Sequence, residues 1–246
     1  MAIPLTRLTP WVAARERPSP NHNARSASRI EGVVLHHTGG TDEGAESWMA
    51  NPASKVSCHL HFRRDGSTTR MVDDRLRAWH AGRGEWRGHT DVNSITLGWE
   101  IGNFGDGREP YTDLQYAELA HVAAHYVRAG LSLEAPKPGI PAAGDFVAHD
   151  ITGDNIVGGG RKADPLGFDW GRFYEETSAR LQQRPLAPVL AAPHKVYSEW
   201  FGENLIVMRV VSDAEWYFVP ESQAHAVIGP IARATTPLSL MPPARG

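Results

Sequence analysis

Strand-like and helix-like segments alternate along residues 29–184, and that alternation leaves few architectures open. Gly32–His37, GVVLHH, is an apolar run that reads as a short buried strand. TDEGAESWMANP follows as a short helix, with Thr41 as N-cap and Pro52 as stop. Val56–Arg64 and Thr68–Val72 flank Asp65-Gly66, a residue pair favoured in tight turns, and predict a hairpin. Ile95–Ile101 alternates as a strand, and 145–149 is a second short one. Thr112-Asp-Leu-Gln115 matches a capping box; Leu114, Leu119, Val122, Tyr126 and Val127 recur at near-helical spacing before a stop at Gly130. A last helix begins at Asp169, with Phe168 and Phe173 as a hydrophobic staple, and runs to about Gln183 before Pro185. The order predicts an α/β fold: a mixed central β-sheet flanked by helices, with a small β-rich C-terminal appendage.

The flanks read differently. Residues 1–28 are rich in Pro, Arg, Ser and Asn without periodicity and read as an irregular lead-in to a catalytic domain over 29–184. Residues 185–195 form a Pro/Ala-rich linker, and 196–246 a β-rich appendage of about fifty residues, marginal as an independent domain and expected to dock on the core. A net charge of -3 argues against nucleic acid as a partner. No apolar run approaches the ~18 residues of a membrane span, so no membrane insertion is expected. The N-terminus lacks the pattern of a signal peptide, which predicts synthesis in the cytoplasm. Cys58 is the lone cysteine, so no intrachain disulfide forms and any metal is held by His and carboxylate.

Three segments carry residues that suit a metal: His36 or His37 at the end of the first strand, His149 at the end of FVAH, and Asp164 after a Gly-rich loop. Two His and one carboxylate form a ligand set for a catalytic zinc with its fourth position open to water. Side chains alternate along a strand, so at most one of His36 and His37 enters such a site. Each residue alone also reads as ordinary: His149 as a cap, Asp164 before Pro165 as a turn starter.

Six segments, VVLHHTGG, SCHLHFRRDG, AWHAG, SITLGWEIGN, FVAHDI and RKADPLGFDW, stand in an order and spacing that resembles the zinc N-acetylmuramoyl-L-alanine amidases of the T7-lysozyme, amidase-2 and peptidoglycan-recognition-protein type. The resemblance covers roughly residues 28–184. It implies His36, not His37, as ligand, with His149 and Asp164 completing the site of one zinc ion per chain. It implies Glu100 as general base and Lys162 as the cation that steadies the oxyanion. His37, His80 and Trp79 would line the substrate groove, while His59 reads as a satisfied core histidine. Trp99 packs the core, and Cys58 matches no ligand position, which leaves it to the packing of the hairpin.

The activity so implied is hydrolysis of the amide between the lactyl group of N-acetylmuramic acid and L-alanine, with peptidoglycan or a muropeptide as substrate and a monomer as the working form. With its appendage, wall-binding or docked on the core, the chain is expected to be a bacteriolytic, antimicrobial lysin of the phage-endolysin type, reaching the wall through a membrane lesion. A cytosolic amidase recycling anhydro-muropeptides and a non-catalytic peptidoglycan-binding module are the alternatives.

Overall fold

The computed structural model describes residues 2–134, 144–149 and 164–182, and the strand backbones of 196–201, 204–212 and 215–219. The chain divides into two compact units, Met1–Gln183 and Arg184–Gly246. In the first, six strands form the central sheet: β1 (Arg15–Glu16), β2 (Gly32–His37), β3 (Leu60–Phe62), β4 (Thr68–Arg70), β5 (Thr96–Ile101) and β6 (Phe146–Ala148), in the order β6-β2-β5-β3-β4-β1. The strands β6, β2, β5 and β3 run parallel; β3 and β4 are the antiparallel hairpin, with Gly66 at φ +82° in its turn. The sheet is mixed, as predicted. In the second unit, Val196–Phe201, Asn204–Ser212 and Glu215–Val219 form a three-stranded antiparallel meander.

The helices are α1 (Asp42–Met49), α2 (Val92–Ile95), α3 (Asp113–Ala129) and α4 (Trp170–Gln182). Their ends follow the sequence closely. Thr41 Oγ1 accepts from the Gly44 amide at 3.1 Å, Thr112 and Gln115 complete the capping box, and Asp169 Oδ1 accepts from the Arg172 amide at 3.0 Å. The turn α2 was not expected from sequence. Leu114, counted among the apolar positions of α3, is 58% exposed, because the buried face runs instead through Tyr116, Leu119, Val122, Ala123 and Tyr126.

One face of the sheet is apolar. Val33 and Leu35 of β2, Leu60 and Phe62 of β3, and Leu97, Trp99 and Ile101 of β5 pack with the buried sides of α3 and α4 into the main core. Each such side chain contributes roughly 1.5–3 kcal/mol on burial. Val34 and Val147 point the other way, into a smaller cluster with Trp86, Val92 and Ile95. Residues 2–28, read as a lead-in, are mostly loop but add short strands and are tied down: the Trp11 amide donates to Tyr126 Oη at 3.2 Å, and Arg25 donates to the Asn93 carbonyl at 2.7 Å.

Beneath α1 the second face of the sheet is charged. Glu46 Oε1 accepts from His61 Nδ1 at 3.0 Å, Arg63 Nη1 at 2.8 Å and Thr69 Oγ1 at 2.8 Å; Asp42 Oδ1 accepts from Arg64 Nη1 at 2.8 Å. Burial works against ionising Asp42, but His61 and Arg64 outweigh it and hold its carboxyl down at about 2; Glu46 is likewise held well below the usual range, and His61 is pushed up. These carboxyls are depressed on folding, so their contribution is complete above about pH 4 and is lost as pH falls towards 2. Glu46→Ala, which leaves His61 and Arg63 without that carboxylate, is expected to lower stability by about 3–5 kcal/mol in urea melts at pH 7 and to flatten the acid limb of the pH profile.

Candidate active site

The parallel register places His36 of β2, Glu100 of β5 and His61 of β3 side by side, since His36 and His61 both pair with Glu100. They share the face opposite the main core. His149 follows β6 directly, and β6 lies on the outer side of β2. Asp164 closes on it, the His149 amide donating to the Asp164 carbonyl at 3.0 Å. Three donor atoms meet: His36 Nδ1 lies 2.9 Å from Asp164 Oδ2 and 3.1 Å from His149 Nδ1, and His149 Nδ1 lies 3.0 Å from Asp164 Oδ2. All three residues are buried.

The ring protons can be assigned from the surrounding bonds. Thr96 Oγ1 donates to the Val92 carbonyl at 2.7 Å, so it accepts from His80 Nε2–H at 3.3 Å. His80 Nδ1 is then the acceptor for His36 Nε2–H at 3.1 Å, which leaves the His36 Nδ1 lone pair facing the triangle. His149 Nε2–H donates to the Ala81 carbonyl at 2.9 Å and frees its Nδ1 in the same way. Two facing lone pairs and a carboxylate at about 3 Å repel one another unless a cation lies among them, and two imidazoles with one carboxylate are a zinc donor set. The donor set fits a divalent metal.

Burial and the neighbouring imidazoles push His80 well below its ordinary value, which keeps it neutral as this hydrogen-bond order needs. Its seat exists because residue 98 is glycine: a Cβ there would lie 2.2 Å from His80 Cγ. His59 lies beneath it, fully buried, with Nδ1 accepting from the Gly98 amide at 2.8 Å, a core histidine as expected. Cys58 is buried against Met49 and Met71.

The triad opens into a cleft of about 460 Å³ lined also by His37, Trp48, Trp79, His80, Glu100 and Leu166. His37 turns away from the triad, as strand alternation requires, and its Nδ1 accepts from the Leu166 amide at 3.1 Å. The structure therefore brings His36, His149 and Asp164 together and sets Glu100, His37, His80 and Trp79 around them; Lys162 lies outside the described residues. Trp48 and the His61–Glu46 cluster escaped the sequence reading. The pattern H-L-H at 59–61 carried a signal for His61, because two His spaced by two share a strand face.

Residues 26–167 match the sequence model of the family described as N-acetylmuramoyl-L-alanine amidase. The chain is 31% identical over 182 residues to the 1,6-anhydro-N-acetylmuramyl-L-alanine amidase AmpD of Salmonella typhimurium strain LT2, a match covering 66% of this chain and 89% of that one. With AmpD of Escherichia coli K12 it shares 30% identity, across 66% and 91% of the two chains. Among solved structures it is similar to a selenomethionine derivative of AmpD, with a TM-score of 0.50 and 27% identity over 68% of this chain and 95% of that one.

If His36 is a ligand and His37 is not, zinc should stabilise the metal-free protein selectively. Zinc at a hundredfold excess over its Kd adds about 2.7 kcal/mol to the folded state. The expected result is a higher thermal midpoint on adding zinc for wild type and His37→Ala, and no zinc-dependent rise for His36→Ala; equal responses in the two variants would remove the assignment.

Proposed function

The chain belongs to the N-acetylmuramoyl-L-alanine amidase family, and on that premise we propose that it is a zinc-dependent amidase whose substrates are soluble muropeptides bearing 1,6-anhydro-N-acetylmuramic acid. The bond cut is the amide between the lactyl carbonyl and the nitrogen of L-alanine. The observation that carries the zinc reading is the triangle of His36 Nδ1, His149 Nδ1 and Asp164 Oδ2, with edges of 2.9, 3.0 and 3.1 Å. Held there, zinc would polarise the lactyl carbonyl and lower the pKa of a bound water towards about 7.

The chain's own residues supply the rest. Glu100, paired with His36 in the sheet and lining the cleft, takes the proton of the attacking water and delivers it to the departing nitrogen. Water's oxygen forms the new bond to the carbonyl carbon, the C–N bond breaks, and the products are a lactyl carboxylate and a free amine on L-alanine. His80 and the Ala81 carbonyl fix the two ligand imidazoles in their tautomers. Lys162 keeps the role the family resemblance gives it, steadying the oxyanion. His37 and Trp79 line the cleft, which supports their contact with substrate.

The lysin role expected from sequence has less support than the recycling one. Relatives matched along about nine-tenths of their length are named for the 1,6-anhydro sugar.

Two measurements test this reading. Glu100→Gln should retain zinc and fold but lose about 10²- to 10⁴-fold in kcat, the usual worth of general-base catalysis; a loss below about tenfold at saturating substrate would move the base elsewhere. Turnover should favour soluble anhydro-muropeptides over intact sacculi by at least about tenfold, a difference of 1.4 kcal/mol. Preference for sacculi would restore the lysin.

A further inference from the structure

Three of the six large hydrophobic side chains exposed among the described residues line this one cleft: Trp48 at 58%, Val56 at 39% and Leu166 at 41%. Exposed apolar side chains gathered at one site mark a binding surface. Trp48 sits in the last turn of α1 and Val56 in the loop before β3. Trp79, half-buried, also lines the cleft and is anchored on both sides: its amide donates to Ser57 Oγ at 2.9 Å and its Nε1 to Asn23 Oδ1 at 2.7 Å. None of these four is charged, and all belong to the cleft that holds His36, His149 and Asp164.

One buried amide organises that side of the cleft. Asn21 is 2% exposed, and its Nδ2 lies 2.9 Å from the Asn51 carbonyl, 3.0 Å from the Val56 carbonyl, 3.2 Å from the Met49 carbonyl and 2.9 Å from Ser54 Oγ. Ser57 Oγ donates back to the Asn21 carbonyl at 2.6 Å. The segment 49–57, next to Trp48 and bonded through Ser57 to Trp79, is therefore held by a residue from the N-terminal arm.

We propose that Trp48, Val56 and Trp79 form an apolar wall that receives the C–H face of the muramic acid ring, and that Asn21 is the positioning residue that sets it. This rests on the amidase reading above and adds the part of the substrate that the wall selects. A pyranose offers a flat set of C–H bonds that packs on indole, whereas the stem peptide, with its carboxylates, gains nothing from an uncharged wall.

The test uses zinc-loaded protein and two substrates, an N-acetylmuramoyl peptide and the same peptide bearing D-lactate without the sugar ring. Trp48→Ala should raise KM for the muramoyl peptide about tenfold with kcat within about twofold, and so erase much of the preference for it over the lactoyl peptide. Asn21→Ala should reproduce that selective KM effect. Because Trp48 is exposed, its variant decides the wall whatever Asn21→Ala does to folding. Equal loss on both substrates would assign the wall to the peptide, and no loss on either would remove it from the site; each overturns the proposal. Zinc-loaded wild type that cleaves neither substrate would instead overturn the amidase reading itself.

Discussion

The parallel pairing of β2, β5 and β3 in one register is the constraint on which the site depends. With Leu35, Trp99 and Leu60 in line, the next row of the sheet has to be His36, Glu100 and His61. A slip of one residue would drive the three polar side chains into the main core and turn Leu35, Trp99 and Leu60 out. The energy that fixes the row is therefore hydrophobic, supplied on the opposite face by the contacts of these residues with α3 and α4. Chemistry is held in place by packing it never touches.

A row of ionisable groups on a buried sheet face is costly, and the fold meets the cost differently at its two ends. At the β3 end α1 delivers Asp42 and Glu46, whose carboxylates engage His61, Arg63 and Arg64. The cluster is internally neutralised, which suits a structural role. At the β2 end no cation from the described residues enters the triangle of His36, His149 and Asp164. The imidazoles there keep their protons on the outer nitrogens, facing His80 and Ala81, and turn lone pairs inward. One end is satisfied by protein, the other presents a donor set that fits a metal, and Glu100 stands between them.

Local chemistry was legible where a few neighbouring residues decide it. The caps at Thr41, Thr112 and Asp169, the Asp65-Gly66 turn and the stop at Gly130 all stand where the sequence placed them. That His36 and His37 point to opposite sides was legible too, because alternation is a property of one strand; which of them faces the triad came only from the family resemblance. What escaped was anything set by contacts distant in sequence. Leu114 fits the spacing of α3 but falls on its outer side, since the neighbouring elements cover a different stripe. Residues 2–28 have no periodicity to read, yet Asn21 and Arg25 hold loops more than twenty-five residues away through side-chain amide and guanidinium groups. Such bonds leave no local pattern.

The same contrast bears on selectivity. In the proposed reaction the triad and Glu100 would act on a lactyl amide, a group common to intact wall and to soluble fragments, and so would not distinguish the two. Discrimination has to come from what the cleft touches beyond the scissile bond. The surfaces of the proposed wall lie on α1, on the loop before β3 and at Trp79, outside the row of the sheet though lining the same cleft as the triad. They can vary in sequence without disturbing register or ligand tautomers, because their anchors run to Asn21 and Asn23 rather than to His36 or His149. Reaction and preference are thus built on separate supports, a rigid sheet for the one and an arm-braced loop for the other. Substrate range in such a fold is free to shift while the chemistry stays fixed.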